Sequence, residues 1–219
     1  MSHAVQVACI VDDPDKTHCK YQWRRADVHG RLKIIEKEVS ATYVISADDI
    51  NHVVSVRCTP WRPGASSVKS QGEVAGGFGK PVVAQANNGN VIELDEEICH
   101  MLLTLQQGAH ARFEVLESSS GHTNAFCELQ LSPTHLIIKR SDNTSDSMEK
   151  YARNWIVTTR YQNGCLIQQG TSGNIELDFH DQRQRDLAVL RIRQIIDSLS
   201  DNLPSECVVA SDDEHHEMK

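Results

Sequence analysis

Cys19-Lys20-Tyr21-Gln22-Trp23-Arg24 alternates apolar and polar side chains, as a strand with one buried face does. Further along the chain, Tyr43-Val44-Ile45-Ser46 runs into Asp49, and Val54-x-Val56-x-Cys58-Thr59-Pro60 repeats the two-residue alternation. Short strands separated by turn residues are typical of a β-sandwich. The pattern predicts that Trp23 and Tyr43 lie in a core and that Asp49 lies in a turn.

This register resembles the immunoglobulin-like repeats of a family of microtubule-associated proteins known as auxin-induced in root cultures. The residues that carry the resemblance are the strand Tyr21-x-Trp23-Arg24, the segment from Tyr43 to Asp49, and the strand that ends at Cys58-Thr59-Pro60. The resemblance implies that residues 1–81 form an immunoglobulin-like β-sandwich.

The two-residue period returns after Ala109, in a series of short candidate strands separated by Ser, Gly, Asn and Asp loops. Asp181 is then placed to cap a long helix, whose apolar stripe includes Leu187, Ile192 and Ile196 and whose arginines are expected to point outward. Six or seven antiparallel strands followed by one amphipathic helix predict a pleckstrin-homology-like β-barrel plugged by that helix, over residues 109–203.

A second resemblance to the same family lies in this region. It is carried by Phe113-x-Val115, by the strands 125–131 and 135–140, by Glu149-Lys150-Tyr151 and by the helix residues 185–193. These segments are similar to the family's C-terminal pleckstrin-homology-like module. The two resemblances together cover roughly residues 4–203 and imply a mainly β chain with the domains in this order.

The segment 82–108 is predicted to be a linker that contains an amphipathic helix. Apolar residues recur at three- and four-residue steps from Ile92 to Leu105, acidic residues occupy the first turn, and Gly108 follows the end. We expect this helix to pack on the neighbouring domain. The preceding Gly76–Pro81 segment lacks the spacing of a phosphate-binding loop and is interpreted as a hinge.

Neither the histidines nor the cysteines form a recognisable catalytic or metal-binding motif. Eleven histidines and seven cysteines are scattered along the chain, without a C-x-x-C, H-E-x-x-H or G-x-S-x-G sequence. We therefore predict no catalytic residue, no metal site, no cofactor and no enzyme. Cys58 either pairs with Cys9 or Cys19 in an inter-sheet disulfide or is a buried thiol, and a reducing cytosol favours the thiol.

Composition and charge bear on location and partners. The chain has 39% apolar residues and a net charge of −8; it contains no run of about 18 apolar residues and no signal-peptide pattern. Residues 1–81 carry 11 Lys and Arg against 9 Asp and Glu, whereas every later segment is acidic. We expect a cytoplasmic protein that binds neither nucleic acid nor membranes, in which only the first domain approaches a basic face.

Phosphoinositide binding is the alternative function that a pleckstrin-homology-like domain suggests. The loop 117–124 contains no Lys or Arg, and only Lys139 and Arg140 are near enough in sequence to bind an anion or a partner.

In the tail, residues 204–219 are predicted to be acidic and disordered. Ser211 precedes Asp212-Asp213-Glu214, an acidic context that predicts a phosphorylation site.

Because the family is cytoskeletal, the resemblance implies a non-enzymatic protein-interaction region of a microtubule-associated scaffold. Its partners would be cytoskeletal proteins, and it would lie in the cytoplasm on the cytoskeleton. The alternative is an adaptor that binds phosphoinositides or membranes through its second domain.

Overall fold

The computed structural model describes residues 4–6, 18–61, 80–108, 110–118, 125–140, 146–160, 163–170 and 173–201. Within these ranges the chain is mainly β. The strands are β1 (Ala4–Gln6), β2 (His18–Ala26), β3 (Leu32–Ile34), β4 (Thr42–Val44), β5 (Val53–Trp61), β6 (Val82–Gln85), β7 (Ala111–Glu117), β8 (Ala125–Leu131), β9 (His135–Arg140), β10 (Ser147–Lys150), β11 (Ile156–Thr159), β12 (Gly164–Gln168) and β13 (Asn174–Phe179). The helices are α1 (Glu96–Gln106) and α2 (Gln182–Asp201), and a 3-10 turn spans Ala47–Asp49.

The first part of the chain forms two small antiparallel sheets. One has the strand order β3-β2-β5-β6, and the other consists of β1 and β4. Trp23 from the four-stranded sheet packs against Tyr43 from the two-stranded sheet, with ring centroids 5.2 Å apart. Trp23 is 1% exposed and its indole N–H donates to the Ser40 carbonyl at 2.8 Å. The prediction that Trp23 and Tyr43 are core residues is confirmed.

The second part forms one antiparallel sheet of seven strands, in the order β10-β9-β8-β7-β13-β12-β11. Alternate residues on β7, namely Ala111, Phe113 and Val115, point into its core. The predicted barrel is not closed, because β10 and β11 are opposite edges of the sheet and no described residue pairs them. The helices bury the apolar face of this sheet, with α2 packing on β7, β11, β12 and β13.

Helix α2 begins as predicted but directs its arginines differently. The Asp181 carboxylate accepts from the Gln184 N–H at 2.9 Å, which confirms the N-cap. The expectation that the arginines point outward is wrong for Arg185 and Arg191, which are 2% and 6% exposed. Their guanidinium groups bind polar atoms inside the protein, and this binding compensates for the loss of water.

The predicted linker contains more structure than its one expected helix. Strand β6 pairs with β5, so the four-stranded sheet extends beyond residue 81, the predicted domain boundary. Ile92 packs on the core around Trp23, whereas Leu94, Ile98 and Met101 pack on the core of the seven-stranded sheet. The chain therefore passes from one core to the other between Ile92 and Leu94. We call residues up to Ile92 the first unit and residues from Leu94 the second unit.

Helix α1 packs on the second unit, as expected. The Asp95 carboxylate caps it by accepting from the Glu97 and Ile98 N–H groups at 3.0 and 3.4 Å. Gly108 ends this segment with φ of 105°, a left-handed backbone conformation that L side chains rarely adopt. Arg191 on α2 donates to the Leu105 carbonyl at 3.0 Å, which ties the two helices together.

The position of the cysteines argues against the inter-sheet disulfide between Cys19 and Cys58. Tyr21 lies opposite Cys58 and Cys19 lies opposite Pro60, so the two cysteines are on neighbouring strands of one sheet. An immunoglobulin disulfide instead joins two facing sheets. Cys9 lies outside the described residues, as do the glycines of the predicted hinge.

We predict that Trp23→Ala unfolds the first unit while the second unit stays folded. Removing a buried aromatic side chain costs about 3 to 5 kcal/mol, and Trp23 belongs to a core separate from that beneath the seven-stranded sheet. Hydrogen exchange of β5 and α2 amides would separate the two responses. Leu32→Ala is the control, because Leu32 is 62% exposed; unchanged protection of β5 in Trp23→Ala would contradict the prediction.

Candidate functional site

Lys139 and Arg140, the two cations expected to contact a partner or an anion, lie at the end of β9 in different surroundings. Lys139 is exposed and lies opposite Glu128 in the sheet. Arg140 donates to both carboxylate oxygens of Glu117, through Nε at 2.7 Å and Nη2 at 2.6 Å. A bidentate pair of this kind is a strong charge-assisted contact. Arg140 is therefore already paired with Glu117, and of the two predicted cations only Lys139 is exposed.

Ser211 and the acidic tail 204–219 lie outside the described residues. The predicted phosphorylation site therefore stays a prediction.

The structure brings together a set of charged and polar residues that sequence reasoning did not identify as a site. They lie where the 3-10 turn of the first unit meets the edge strand β11 and helix α2. We call this set the junction cluster, and its members are Arg25, Asp48, Asp49, Thr159, Asp186 and Arg193.

Asp48 is the centre of the junction cluster. Its carboxylate accepts from the Thr159 backbone N–H at 3.2 Å and from the Thr159 hydroxyl at 2.9 Å, both on β11. It also forms ion pairs with Arg193 on α2 and, at 3.5 Å, with Arg25 on β2. Although burial opposes ionisation, the Arg193 guanidinium holds the pKa of Asp48 below its ordinary value. Asp48 is thus an ionised carboxylate bound from both units.

The backbone of the 3-10 turn is also hydrogen-bonded to the second unit, through both the N–H and the carbonyl of Ala47. The Ala47 N–H donates to the Asp186 carboxylate at 3.2 Å, and the Ala47 carbonyl accepts from Arg193 at 3.0 Å. Arg193 also donates to the Val157 carbonyl at 2.6 Å, and the Ala47 side chain lies in the core of the second unit. Burial raises the pKa of Asp186 despite the adjacent Arg185 guanidinium. The turn is therefore fitted between an edge strand and a helix.

Asp49 supports the turn from inside the first unit. It is 0% exposed, and its carboxylate accepts from the Tyr43 hydroxyl at 2.6 Å and from the Ser46 N–H at 2.8 Å. Arg25 lies 3.1 Å from the other oxygen of Asp49. Burial and the neighbouring Asp49 charge raise the pKa of Tyr43, so the phenol remains the donor at neutral pH. Asp49 lies in a turn, as predicted, but its carboxyl group is also fully buried.

A cavity of about 420 Å³ lies beside the junction cluster, between the first unit, the connecting chain and α2. Its walls are mostly apolar, with Ile45, Ile92 and Leu190 among them. The charged residues of the lining are Glu93, Asp95, Arg183 and Asp186. Arg183 forms an ion pair with Glu97 on α1. The cavity lining contains no Ser, Cys or His arranged with a base as in nucleophilic catalysis.

Two buried thiols, Cys127 and Cys165, are not activated. Burial raises the pKa of Cys165 to about 12, and burial also raises that of Cys127. A thiol with a raised pKa is a poor nucleophile at neutral pH. Across the ranges that the structure describes, no group of three or more His, Cys, Asp and Glu is placed to hold a metal ion. No described helix is long and apolar enough to cross a membrane.

The outer face of the four-stranded sheet is the other candidate surface. Trp23, Val54 and Val56 point into the core, so the alternate residues point away from it. The outward residues include Lys20, Arg24, Arg57, Ile34 and Val83. A groove of about 650 Å³ on this face is lined by Lys20, Gln22, Arg57, Thr59 and Lys80, together with Tyr21 and Pro81.

No protein-family model matches the chain, and no curated protein matches its sequence.

We predict that Asp48→Asn weakens the attachment between the two units. The substitution removes the anion between Arg25 and Arg193, so two guanidinium groups face each other without the carboxylate that binds both. Losing hydrogen bonds to a charged group costs about 2 to 3 kcal/mol. Calorimetry should show the unfolding transition broadening or splitting. Asp27→Asn is the control, since Asp27 pairs with the exposed Arg31 in a surface turn; equal effects of both changes would contradict the prediction.

Acidification should also weaken the attachment between the two units, as Asp48→Asn does. The pKa of Asp48 in the folded protein lies below its ordinary value of 3.8. Its ionised form therefore stabilises the fold at neutral pH, and this contribution is lost as the pH falls through the folded pKa. Asp186, whose pKa is raised, acts in the opposite direction. A carboxylate titrates in roughly the range from pH 5 to pH 2. Over this range Asp48→Asn should lose less stability than the unmodified protein; equal losses would contradict this prediction.

Proposed function

We propose that this chain is a non-enzymatic protein-interaction region of a cytoskeletal, microtubule-associated scaffold, located in the cytoplasm. The observation that carries the proposal is the arrangement of two antiparallel β units, each with its own core, in the order that the family resemblance implies. On this proposal, the first unit is immunoglobulin-like and the second is pleckstrin-homology-like, with an open sheet.

The second unit supports this assignment through its topology. Four strands, β7 to β10, follow one another as neighbours, and three strands, β11 to β13, do the same. The first and last strands of the series, β7 and β13, pair in the middle of the sheet, and a single C-terminal helix packs on it. Seven short antiparallel strands followed by one C-terminal helix are the order of elements that the pleckstrin-homology-like resemblance implies.

The packing of the first unit supports the immunoglobulin-like assignment. A tryptophan on a central strand is buried between two sheets, beneath a tyrosine of the facing sheet. The outer face of the larger sheet remains exposed, with Ile34 and Val83 52% and 58% exposed. Apolar side chains that stay exposed on an open sheet are available for contact with a partner protein.

Charge in the second unit favours a protein partner over a phosphoinositide. Inositol phosphates are bound by several convergent cations, whereas Glu117 occupies Arg140 in a bidentate pair. Lys139 is the remaining cation of the predicted pair, and one exposed lysine supplies little affinity at physiological salt, where the Debye length is about 8 Å.

The proposal is tested by affinity capture with the whole chain as bait, comparing a cytoskeletal fraction with a soluble fraction. We expect cytoskeletal proteins to be enriched, and we expect Ile34→Ser/Val83→Ser to reduce their recovery several-fold. Ile156→Ser is the matched control, because Ile156 is also exposed but lies on β11 of the second unit. Recovery of soluble metabolic proteins alone would contradict the proposal.

Flotation with liposomes tests the alternative. We expect no saturable binding to vesicles that contain phosphatidylinositol bisphosphate at physiological ionic strength. Arg140→Ala should instead lower the melting temperature, because it leaves the largely buried Glu117 carboxylate without its partner. Low-micromolar binding that Lys139→Ala/Arg140→Ala abolishes would favour the membrane-binding function over the scaffold.

A further inference from the structure

The outer face of the four-stranded sheet has one sign of charge. Its described strand positions are 20, 22, 24 and 26 on β2, 32 and 34 on β3, 53, 55, 57 and 59 on β5, and 83 and 85 on β6. Lys20, Arg24 and Arg57 are among them, and none of these positions is Asp or Glu. Lys80, just before β6, lines the groove beside Arg57.

Two of these cations are well placed to meet a ligand. Arg57 and Lys80 are both exposed, and neither forms an ion pair with a carboxylate of the described chain. The Arg24 guanidinium donates to the Gln22 side chain at 3.2 Å. These charges lie above a closed core, so a ligand would bind on the face rather than enter the unit.

Exposed apolar side chains flank the cations. Val83 lies directly opposite Arg57, and Ile34 lies directly opposite Arg24. Successive side chains of a strand point to opposite sides, so an extended peptide with an acidic residue at every second position turns all of its carboxylates toward such a face. Among the described strands, β6 is an edge of its sheet, and edge strands can pair with the backbone of an added peptide.

We propose that the outer face of the β3-β2-β5-β6 sheet binds an extended acidic segment of a partner protein, along the groove between Arg57 and Lys80. This inference rests on the proposed scaffold function and names the chemistry of the partner at that surface. Charge complementarity selects the acidic segment. The exposed valine and isoleucine favour a peptide with apolar residues over a nucleic acid, whose binding would require a larger number of phosphate contacts.

The test is fluorescence anisotropy with the full chain and a labelled peptide of alternating glutamate and valine. The comparison peptide has glutamine in place of glutamate. We expect the acidic peptide to bind more tightly, and its affinity to fall as salt rises from 50 to 200 mM, as expected for charge pairs at a surface (Debye length of about 10 Å at 0.1 M).

Charge-reversal variants distinguish binding at this groove from a general effect of the protein's net charge. Arg57→Glu/Lys80→Glu should weaken peptide binding at least about tenfold, because it replaces two attractive charges by two repulsive ones. Lys139→Glu/Lys150→Glu, at two exposed lysines of the second unit, is the matched control and should leave the affinity within about twofold. Arg57→Gln/Lys80→Gln should give an intermediate loss, and melting curves verify that the variants fold. Equal affinity for the two peptides, or equal losses in the Glu double variant and the control, overturns the proposal.

Two further outcomes have definite meanings. The chain's own tail carries Glu206, Asp212, Asp213, Glu214 and Glu217; if the peptide binds only after these are changed to Gln and Asn, the tail is the occupant and a partner segment is overturned. If the peptide does not bind but cytoskeletal proteins are still captured, this inference fails and the proposed function stands. If neither the peptide nor any cytoskeletal protein binds, both this inference and the proposed function are overturned.

Discussion

The Asp48 carboxylate is the point at which the two units depend on each other. It accepts hydrogen bonds from the edge strand β11, and it forms ion pairs with Arg193 of helix α2 and with Arg25 of the first unit. A largely buried carboxylate is costly unless its oxygens are bound. Only a close approach of the 3-10 turn to β11 and α2 provides all these partners. The relative position of the units is therefore set by the need to satisfy one anion.

This constraint also determines which surfaces are left open. Edge strands expose unpaired backbone groups and readily add another strand. On β11, the turn of the first unit covers part of the edge, because the Thr159 N–H already donates to Asp48. Asp49 keeps the turn in shape by binding Ser46 and Tyr43 from within. The turn thus closes a surface on the second unit, while the outer face of the four-stranded sheet remains exposed with its cations and its valine.

Elements with strong local patterns could be predicted from the sequence. Trp23 and Tyr43 alternate with polar neighbours and are buried, and Asp181 precedes a long apolar stripe and caps α2. Strands β8 and β9 begin and end at the predicted residues. Strand β6 was missed because all four of its residues are exposed and therefore show no alternation. What holds β6 in place is pairing with β5, a contact that its own side chains do not reveal.

The sequence by itself determined that the chain is mainly β, where most strands and both helices lie, and which aromatic residues form the first core. Those features follow from the local period of apolar side chains and from helix caps. Only the tertiary structure decided that the seven strands form an open sheet, that Arg185 and Arg191 are buried, that Arg140 is occupied by Glu117, and that Asp48 meets Arg193. The reason is separation along the chain: charged residues as far apart as Asp48 and Arg193 carry no local pattern. Their pairing depends on where the two units place them.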